Sequence, residues 1–134
     1  MEKILIVDDD SFLLDMYAVK FCEAQYAVDT SKSVEDALRK MHEGEVYDII
    51  LLDMVMPHLT GLDLLRAVHT EKLSKDPLCV VLSNQGETFD IDAAEELGAD
   101  GYLIKANMIP SEVVKSVQTL WEEKRAGKHK KTDA

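Results

Sequence analysis

The sequence has little cysteine and no long apolar run. Two cysteines stand among 134 residues, Cys22 and Cys79, and their separation is unlike that of a metal-binding cysteine pair. Each lies among apolar residues, which predicts two buried thiols in a reducing cytosol. Met1, Glu2 and Lys3 precede only a short apolar run, too short for a signal peptide or a membrane span. We therefore expect a cytoplasmic protein.

Positive charge is also scarce. The chain has 15 Lys and Arg against 26 Asp and Glu, a formal net charge of −11. Phosphate backbones and anionic membranes repel such a surface, so neither DNA nor a membrane is an expected partner. The basic residues concentrate at the end, where residues 123–134 are polar and lack an apolar face. We predict one domain over residues 1–122 and a disordered basic tail over residues 123–134.

Short apolar runs alternate with segments of helical periodicity. Strands are predicted at residues 4–7, 26–30, 47–52, 78–82 and 101–104. Helices are predicted at residues 11–23, 33–41, 62–70 and 89–97, and from about residue 110. Strands joined by helices of this length predict an α/β fold, with a parallel sheet covered on both faces.

Several helix ends carry recognisable signals. Ser11 and Ser33 are predicted to cap the first two helices, with Asp36 as a capping-box partner of Ser33. Gly44 and Gly98 are predicted to end the second and fourth helices.

Polar side chains follow the carboxyl ends of four of the predicted strands. Asp8 and Asp9 follow the first strand, Asp53 the third, Ser83 the fourth and Lys105 the fifth. Ligands of open parallel sheets bind at this edge. Close carboxylates repel one another unless a positive charge lies among them, and carboxylate oxygens suit Mg²⁺. A metal, a lysine and a hydroxyl around a carboxylate nucleophile predict phosphoryl transfer.

At these residues the sequence resembles the response regulator receiver domains of two-component signalling. The segments that carry the resemblance span residues 3 to about 121: ILIVDDD, DIILLDMVMPHLTGLDLL, VVLS and GADGYLIK. The resemblance implies a doubly wound, flavodoxin-like (βα)5 fold with strand order 2-1-3-4-5. It also implies a stand-alone phosphorylation switch.

The resemblance assigns roles to the acidic residues. Asp53 is the expected phosphoacceptor. Asp9, Asp53 and the backbone carbonyl of Val55 are the expected ligands of Mg²⁺, or of Mn²⁺ in its place. Asp8 is expected to assist through water or as a minor ligand.

Other expected roles fall on the later strand ends. Ser83 and Lys105 are expected to contact the phosphoryl group, and Tyr102 matches the aromatic switch position. Pro57 and Gly61 are expected to shape the loop that follows the phosphoacceptor.

The resemblance also implies partners. The phosphoryl donor would be a phosphohistidine on a sensor histidine kinase or a histidine phosphotransfer protein. Output would pass to a downstream protein through the face of helix 4, strand 5 and helix 5, or through a homodimer. The chain is not expected to be an enzyme beyond self-catalysed phosphoryl transfer and slow autodephosphorylation.

Two residues depart from the family pattern. Ala106 follows Lys105 where proline is usual, and a cis bond there would cost about 2.5–4 kcal/mol. Asn84 follows Ser83 where a small residue is usual. Asn84 and Gln85, with Val55, lie where the family tunes the lifetime of the phosphoryl group.

The sequence is also compatible with other interpretations of these residues. Asp10 fits a surface acid or a helix cap better than a third metal ligand, and Tyr102 also fits a half-exposed aromatic of a partner surface. Asn84 and Ala106 favour an interaction module that keeps the fold without being phosphorylated. A hydrolase is disfavoured because Val55 stands where a general acid is needed. The acidic rim disfavours a flavin phosphate.

Overall fold

The computed structural model describes residues 1–84 and 91–127, in which strands and helices alternate. The strands are β1 (Lys3–Val7), β2 (Ala27–Ser31), β3 (Ile49–Asp53), β4 (Leu78–Ser83) and β5 (Ala99–Ile104). The helices are α1 (Ser11–Glu23), α2 (Val34–His42), α3 (Gly61–Glu71), α4 (Ile91–Glu96) and α5 (Pro110–Arg125). Short 3₁₀ turns cover Leu73–Lys75 and Lys105–Asn107.

All five strands belong to one parallel sheet. Their order is β2-β1-β3-β4-β5, which confirms the predicted doubly wound fold. Every residue of β3 and β4 is buried, because helices cover both faces of the centre of the sheet. The continuous apolar runs that predicted these strands follow from this two-sided burial.

The core has two layers, one on each face of the sheet. Alternate residues of the strands point to opposite faces, so neighbouring strand residues join different layers. One layer packs β1, β3 and β4 against α2, α3 and α4, and the other packs the same strands against α1 and α5. Each fully buried aliphatic side chain contributes about 1.5–3 kcal/mol, so these layers hold the strand ends in place.

The prediction of Ser11 as the cap of α1 is wrong, and the interpretation of Asp10 as a helix cap is confirmed. Asp10, not Ser11, is the N-cap, and its carboxylate accepts hydrogen bonds from the amides of Phe12 and Leu13 at 3.0 and 3.2 Å. The positive end of the helix dipole also stabilises a carboxylate at this position, which favours the aspartate over the serine as the cap.

The cap of α2 is the predicted one. Ser33 accepts a hydrogen bond from the amide of Asp36 at 3.0 Å. The Asp36 carboxylate instead accepts from Arg39 at 2.7 Å, since its side chain is shorter than that of a glutamate. Gly44 and Gly98 follow their helices with φ of 108° and 102°, a conformation that glycine adopts without strain.

The two thiols have different surroundings. Cys79 is buried as predicted, whereas Cys22 is exposed. The prediction for Cys22 is wrong because this residue directly follows the buried Phe21 on α1, and one helical step turns its side chain outward.

Helix α5 extends past residue 122, where the domain is predicted to end. It continues to Arg125, so the first residues of the predicted tail are helical. Residues 128–134 lie outside the described residues, and disorder there stays a prediction. None of the helices within residues 1–84 and 91–127 has the length and apolar character needed to cross a membrane.

Candidate functional site

The register of the sheet brings two aspartates side by side. Val7 of β1 lies opposite Leu52 of β3, and the next residues along these strands are Asp8 and Asp53. Both strands run in the same direction, so both carboxylates emerge at the same edge.

The next two strands add a hydroxyl and an ammonium group. Asp53 lies opposite Leu82 of β4, and Ser83 follows that residue. Ser83 in turn lies opposite Ile104 of β5, and Lys105 follows it. The structure therefore brings the predicted strand-end residues to one edge of the sheet.

Buried charges dominate this edge. Asp8 is fully buried, and Asp53 and Ser83 are each 4% exposed. The Lys105 Nζ lies 2.9 Å from Asp8 Oδ2 and 3.3 Å from Asp53 Oδ2. One buried ammonium thus serves two buried carboxylates, which leaves one negative charge in excess.

Backbone amides hold the other oxygen of each carboxylate. Asp8 Oδ1 accepts a hydrogen bond from the amide of Asp10 at 2.9 Å. Asp53 Oδ1 accepts one from the amide of Val55 at 3.4 Å. Sequence reasoning missed the Val55 amide, although an aspartate at a strand end commonly accepts from the amide two residues on.

The electrostatics raise the pKa of Asp53. Burial is the largest cause; the positive charge of Lys105 opposes it and the negative charge of Asp8 adds to it. Together they raise the pKa from 3.8 to about 6. Burial acts to lower the pKa of Lys105, but the contacts with Asp8 and Asp53 outweigh it and leave that pKa raised.

Three carboxylates could hold a cation. Oxygen atoms of Asp8, Asp9 and Asp53 lie within 4.8 Å of one another, and Asp9 is exposed at the rim. An all-oxygen donor set with an open side fits Mg²⁺, which keeps several waters when bound. The ligand role of the Val55 carbonyl stays a prediction.

The loop after Asp53 closes tightly on it. The Gly61 amide donates to the Met54 carbonyl at 3.0 Å. A Cβ atom at Gly61 would lie 2.8 Å from the Asp53 carbonyl oxygen and 2.9 Å from Met54 Cα. Only glycine fits this close approach, in agreement with its predicted role in shaping the loop.

The residue after the lysine does not prevent Lys105 from reaching the site. Within residues 1–84 and 91–127 there is no cis peptide bond, so the bond between Lys105 and Ala106 is trans. Lys105 begins a short 3₁₀ turn and still contacts both carboxylates.

The remaining predicted residues lie around this site. Tyr102 is 46% exposed on β5, and Asn84 is exposed directly after Ser83. Gln85 lies outside the described residues. The switch and lifetime roles of these three residues stay predictions.

Tyr17 is a further neighbour that sequence reasoning placed only in the core. It is buried on α1, and burial raises its pKa; the positive charge of Lys105 opposes this rise and the negative charge of Asp8 adds to it. No sequence signal marks this electrostatic interaction, because Tyr17 belongs to an ordinary apolar stripe.

Known proteins resemble this chain in sequence and in fold. A sequence model of the response regulator receiver domain matches residues 4–118. The chain belongs to the response regulator receiver domain family. This receiver domain is 30% identical over 105 residues to the response regulator ArlR of Staphylococcus aureus. The match covers 78% of this chain but 46% of ArlR, so the chain spans about half the length of the curated relatives it matches.

Solved receiver domains have the same fold over nearly their whole length. The chemotaxis response regulator CheY4 of Vibrio cholerae is 28% identical, with a TM-score of 0.80 over 90% of this chain and 98% of that one. A response regulator receiver domain protein from Clostridium thermocellum is 25% identical, with a TM-score of 0.80 over 94% and 98% of the two chains.

Proposed function

We propose that this receiver domain is a phosphorylation switch in which Asp53 accepts a phosphoryl group from a phosphohistidine. The observation that carries the proposal is the position of Lys105, whose ammonium lies within 3.3 Å of both Asp8 and Asp53. An ammonium at this distance would offset charge on a phosphoryl group transferred to Asp53.

In the proposed transfer, an Asp53 carboxylate oxygen attacks the phosphorus in line with the histidine nitrogen. A P–O bond forms, the P–N bond breaks, and the electron pair leaves with the imidazole, which then takes a proton from water. The product is an acyl phosphate on Asp53. Because its nearly complete burial limits access of water, Asp53 is also suited to keeping the acyl phosphate for some time.

Asp8, Asp9, Asp53 and the Val55 carbonyl are the residues that would hold Mg²⁺ or Mn²⁺. The clustered carboxylate oxygens support this assignment. When bound, the ion would neutralise negative charge on the phosphoryl oxygens. Asp9 is the exposed member of the cluster, so it would be the first carboxylate that an ion from solvent meets.

Ser83 and Lys105 would bind the transferred phosphoryl group, and Tyr102 would change rotamer with Ser83. Asn84 and Gln85 would tune the lifetime of the acyl phosphate. Beyond transfer to itself and slow autodephosphorylation, we propose no enzymatic activity.

The proposed donor is a sensor histidine kinase or a histidine phosphotransfer protein. The proposed output is a protein that binds the face of α4, β5 and α5, or a second copy of the chain. A receiver-like interaction module without phosphorylation is the alternative that Asn84 and Ala106 favour. The contacts of Lys105 with both carboxylates argue for the switch instead.

The proposal is tested by intact mass after incubation with acetyl phosphate, with and without Mg²⁺. The native chain should gain one phosphoryl group only with Mg²⁺. Asp53→Asn should gain none, and Asp9→Asn should need a higher Mg²⁺ concentration for the same yield.

Asp10→Asn is the matched control, because asparagine caps a helix as well as aspartate does and the ion would not contact it. It should be phosphorylated like the native chain. An unmodified native chain that is folded in Mg²⁺ would reject the switch in favour of the interaction module.

A further inference from the structure

A cavity of about 550 Å³ lies near the edge of the sheet opposite Asp53. It opens between the end of α3, the start of β4 and the end of α4. Its apolar lining includes Val68, Cys79 and Leu97, of which the first two are nearly buried. Its volume falls within the range of about 300–1,000 Å³ that is typical of small-molecule sites.

The mouth of this cavity is basic. His69, Lys72 and Lys75 contribute to the lining, and all three side chains belong to exposed residues. In a chain of net charge −11, three basic groups around one apolar cavity form a local exception. Among the described residues, neither lysine has a carboxylate within 4.0 Å.

Two acidic residues beside the mouth, Glu71 and Asp76, contact basic groups of other helices. Glu71 lies 2.8 Å from the ring of His42 on α2. Asp76, which also lines the cavity, lies 3.5 Å from Lys124 on α5. The charges of Lys72 and Lys75 are therefore available to an anion that enters from solvent.

We propose that this cavity binds a small amphipathic anion, an apolar group that carries one carboxylate or phosphate head. The apolar group would displace water from the lining of Val68, Cys79 and Leu97. The head would pair with Lys72 and Lys75 at the mouth, where an anion forms charge-assisted hydrogen bonds. A neutral apolar molecule would displace water from the apolar lining but would leave the two ammonium groups unpaired.

This inference does not depend on the proposed phosphoryl transfer, because the two sites lie at opposite ends of β4. Cys79 lines the cavity near the start of that strand, and Ser83 ends it at the phosphoacceptor edge. Three residues of the strand lie between them, so the two ends are about 13 Å apart.

The first probe is anilinonaphthalene sulfonate, an amphipathic anion whose fluorescence rises in apolar surroundings. Its neutral counterpart, phenylnaphthylamine, has the same rings without the sulfonate. The sulfonate should bind the full chain saturably, with one molecule per chain and an affinity about tenfold higher than that of the neutral compound. Amide chemical shifts measured by NMR should change at residues 68–79 and 97–98.

The double variant Lys72→Gln and Lys75→Gln should raise the dissociation constant of the sulfonate about tenfold. Its affinity for the neutral compound should stay the same. The control replaces two exposed lysines outside this cavity, Lys32→Gln and Lys115→Gln, and changes the net charge equally. This control should bind the sulfonate like the native chain.

Octanoate and octyl phosphate then distinguish the two head groups by displacing the probe. Stronger displacement by one of them identifies the head, and displacement by neither contradicts the proposal. The proposal is also overturned if the shifts map to another surface, if the neutral compound binds as tightly as the sulfonate, or if both double variants bind it equally.

Discussion

The edge at the carboxyl ends of the strands carries buried acidic groups, whereas the edge at their amino ends carries exposed basic groups. At the carboxyl edge, two buried aspartates share one buried lysine. At the amino edge, exposed basic groups line the cavity, and the buried residues of its lining, Val68, Pro77 and Cys79, are uncharged. The first edge buries charged side chains, whereas the second leaves charge exposed to solvent beside an apolar surface.

Chain direction explains the sign at each edge. In every β-α unit the helix starts near the carboxyl edge of the sheet and ends near the amino edge. The positive ends of the helix dipoles therefore lie near the aspartates, as α1 does directly after Asp10. The negative end of α3 lies beside Lys72 and Lys75. The two edges therefore differ in stability mainly because the charges of the first are buried and those of the second are exposed, and less because the charges differ in sign.

The largest expected effect at the carboxyl edge is that of Lys105→Met. Removing the ammonium leaves Asp8 and Asp53 buried together without a counter-charge, which should lower the free energy of unfolding by about 3 kcal/mol. Urea unfolding at pH 7 in EDTA measures it. The exposed-lysine control Lys32→Met should change the value by less than about 0.5 kcal/mol. Equal values for the two variants would show that the buried edge stores no such energy.

The raised pKa of Asp53 predicts a pH dependence of known sign. The pKa of Asp53 is about 6 in the folded chain and 3.8 ordinarily. Between these pH values Asp53 is therefore more often protonated in the folded chain than in the unfolded chain. Stability should therefore fall as the pH rises from about 4 to 6, in the absence of metal. Asp53→Asn removes this loss and should be more stable than the native chain by about 3 kcal/mol at pH 7.

Urea unfolding of the native chain and Asp53→Asn, measured in EDTA from pH 4 to pH 7.5, checks this sign. The two curves should approach each other toward pH 4. A native chain that gains stability relative to the variant as the pH rises would contradict the burial of an ionised Asp53.

A pair of glycine variants compares crowding with backbone strain. Gly61→Ala should lower stability by about 2 kcal/mol, because the new Cβ would press on the backbone of Asp53 and Met54. Gly44→Ala should cost about 1 kcal/mol through its φ of 108° alone, since the added Cβ would meet no atom within 4 Å beyond its chain neighbours. Only Gly61→Ala should also slow phosphorylation by acetyl phosphate. Slowing by both variants would point to a general loss of stability.

The smallest expected effect belongs to the amino edge. Lys72→Gln together with Lys75→Gln should change the free energy of unfolding by less than about 0.5 kcal/mol, because both side chains are exposed and neither has an ion-pair partner among the described residues. Thermal and urea unfolding measure it. A loss above 1 kcal/mol would mean that this edge depends on its charges as the other does.

The sequence predicted the fold best where burial is two-sided. Strand β4 was predicted from its apolar run, and its observed end lies within one residue of the predicted end. β5 starts at Ala99 rather than at residue 101, because pairing of Ala99 with Cys79 extends the strand beyond its apolar run. Tyr47 lies before β3, since its backbone amide donates to the Ser74 hydroxyl at 3.0 Å rather than to a neighbouring strand.

The candidate site was predictable as a set of residues but not as a geometry. Parallel strands must bring Asp8, Asp53, Ser83 and Lys105 to one edge, so their order along the chain was sufficient. The sharing of Lys105 between two carboxylates depends on side-chain reach, which periodicity does not contain. The cavity was not predictable either, because its lining comes from three elements that are distant in sequence.

The central position of β3 has a consequence for where this protein can open. Neighbouring strands cover both of its edges, and all five of its residues are buried. Its amides should therefore be among the slowest to exchange their hydrogens with solvent, because they are released only when the whole domain unfolds. Asp53 ends this strand, so the residue that would receive the signal is anchored to the most slowly opening part of the chain.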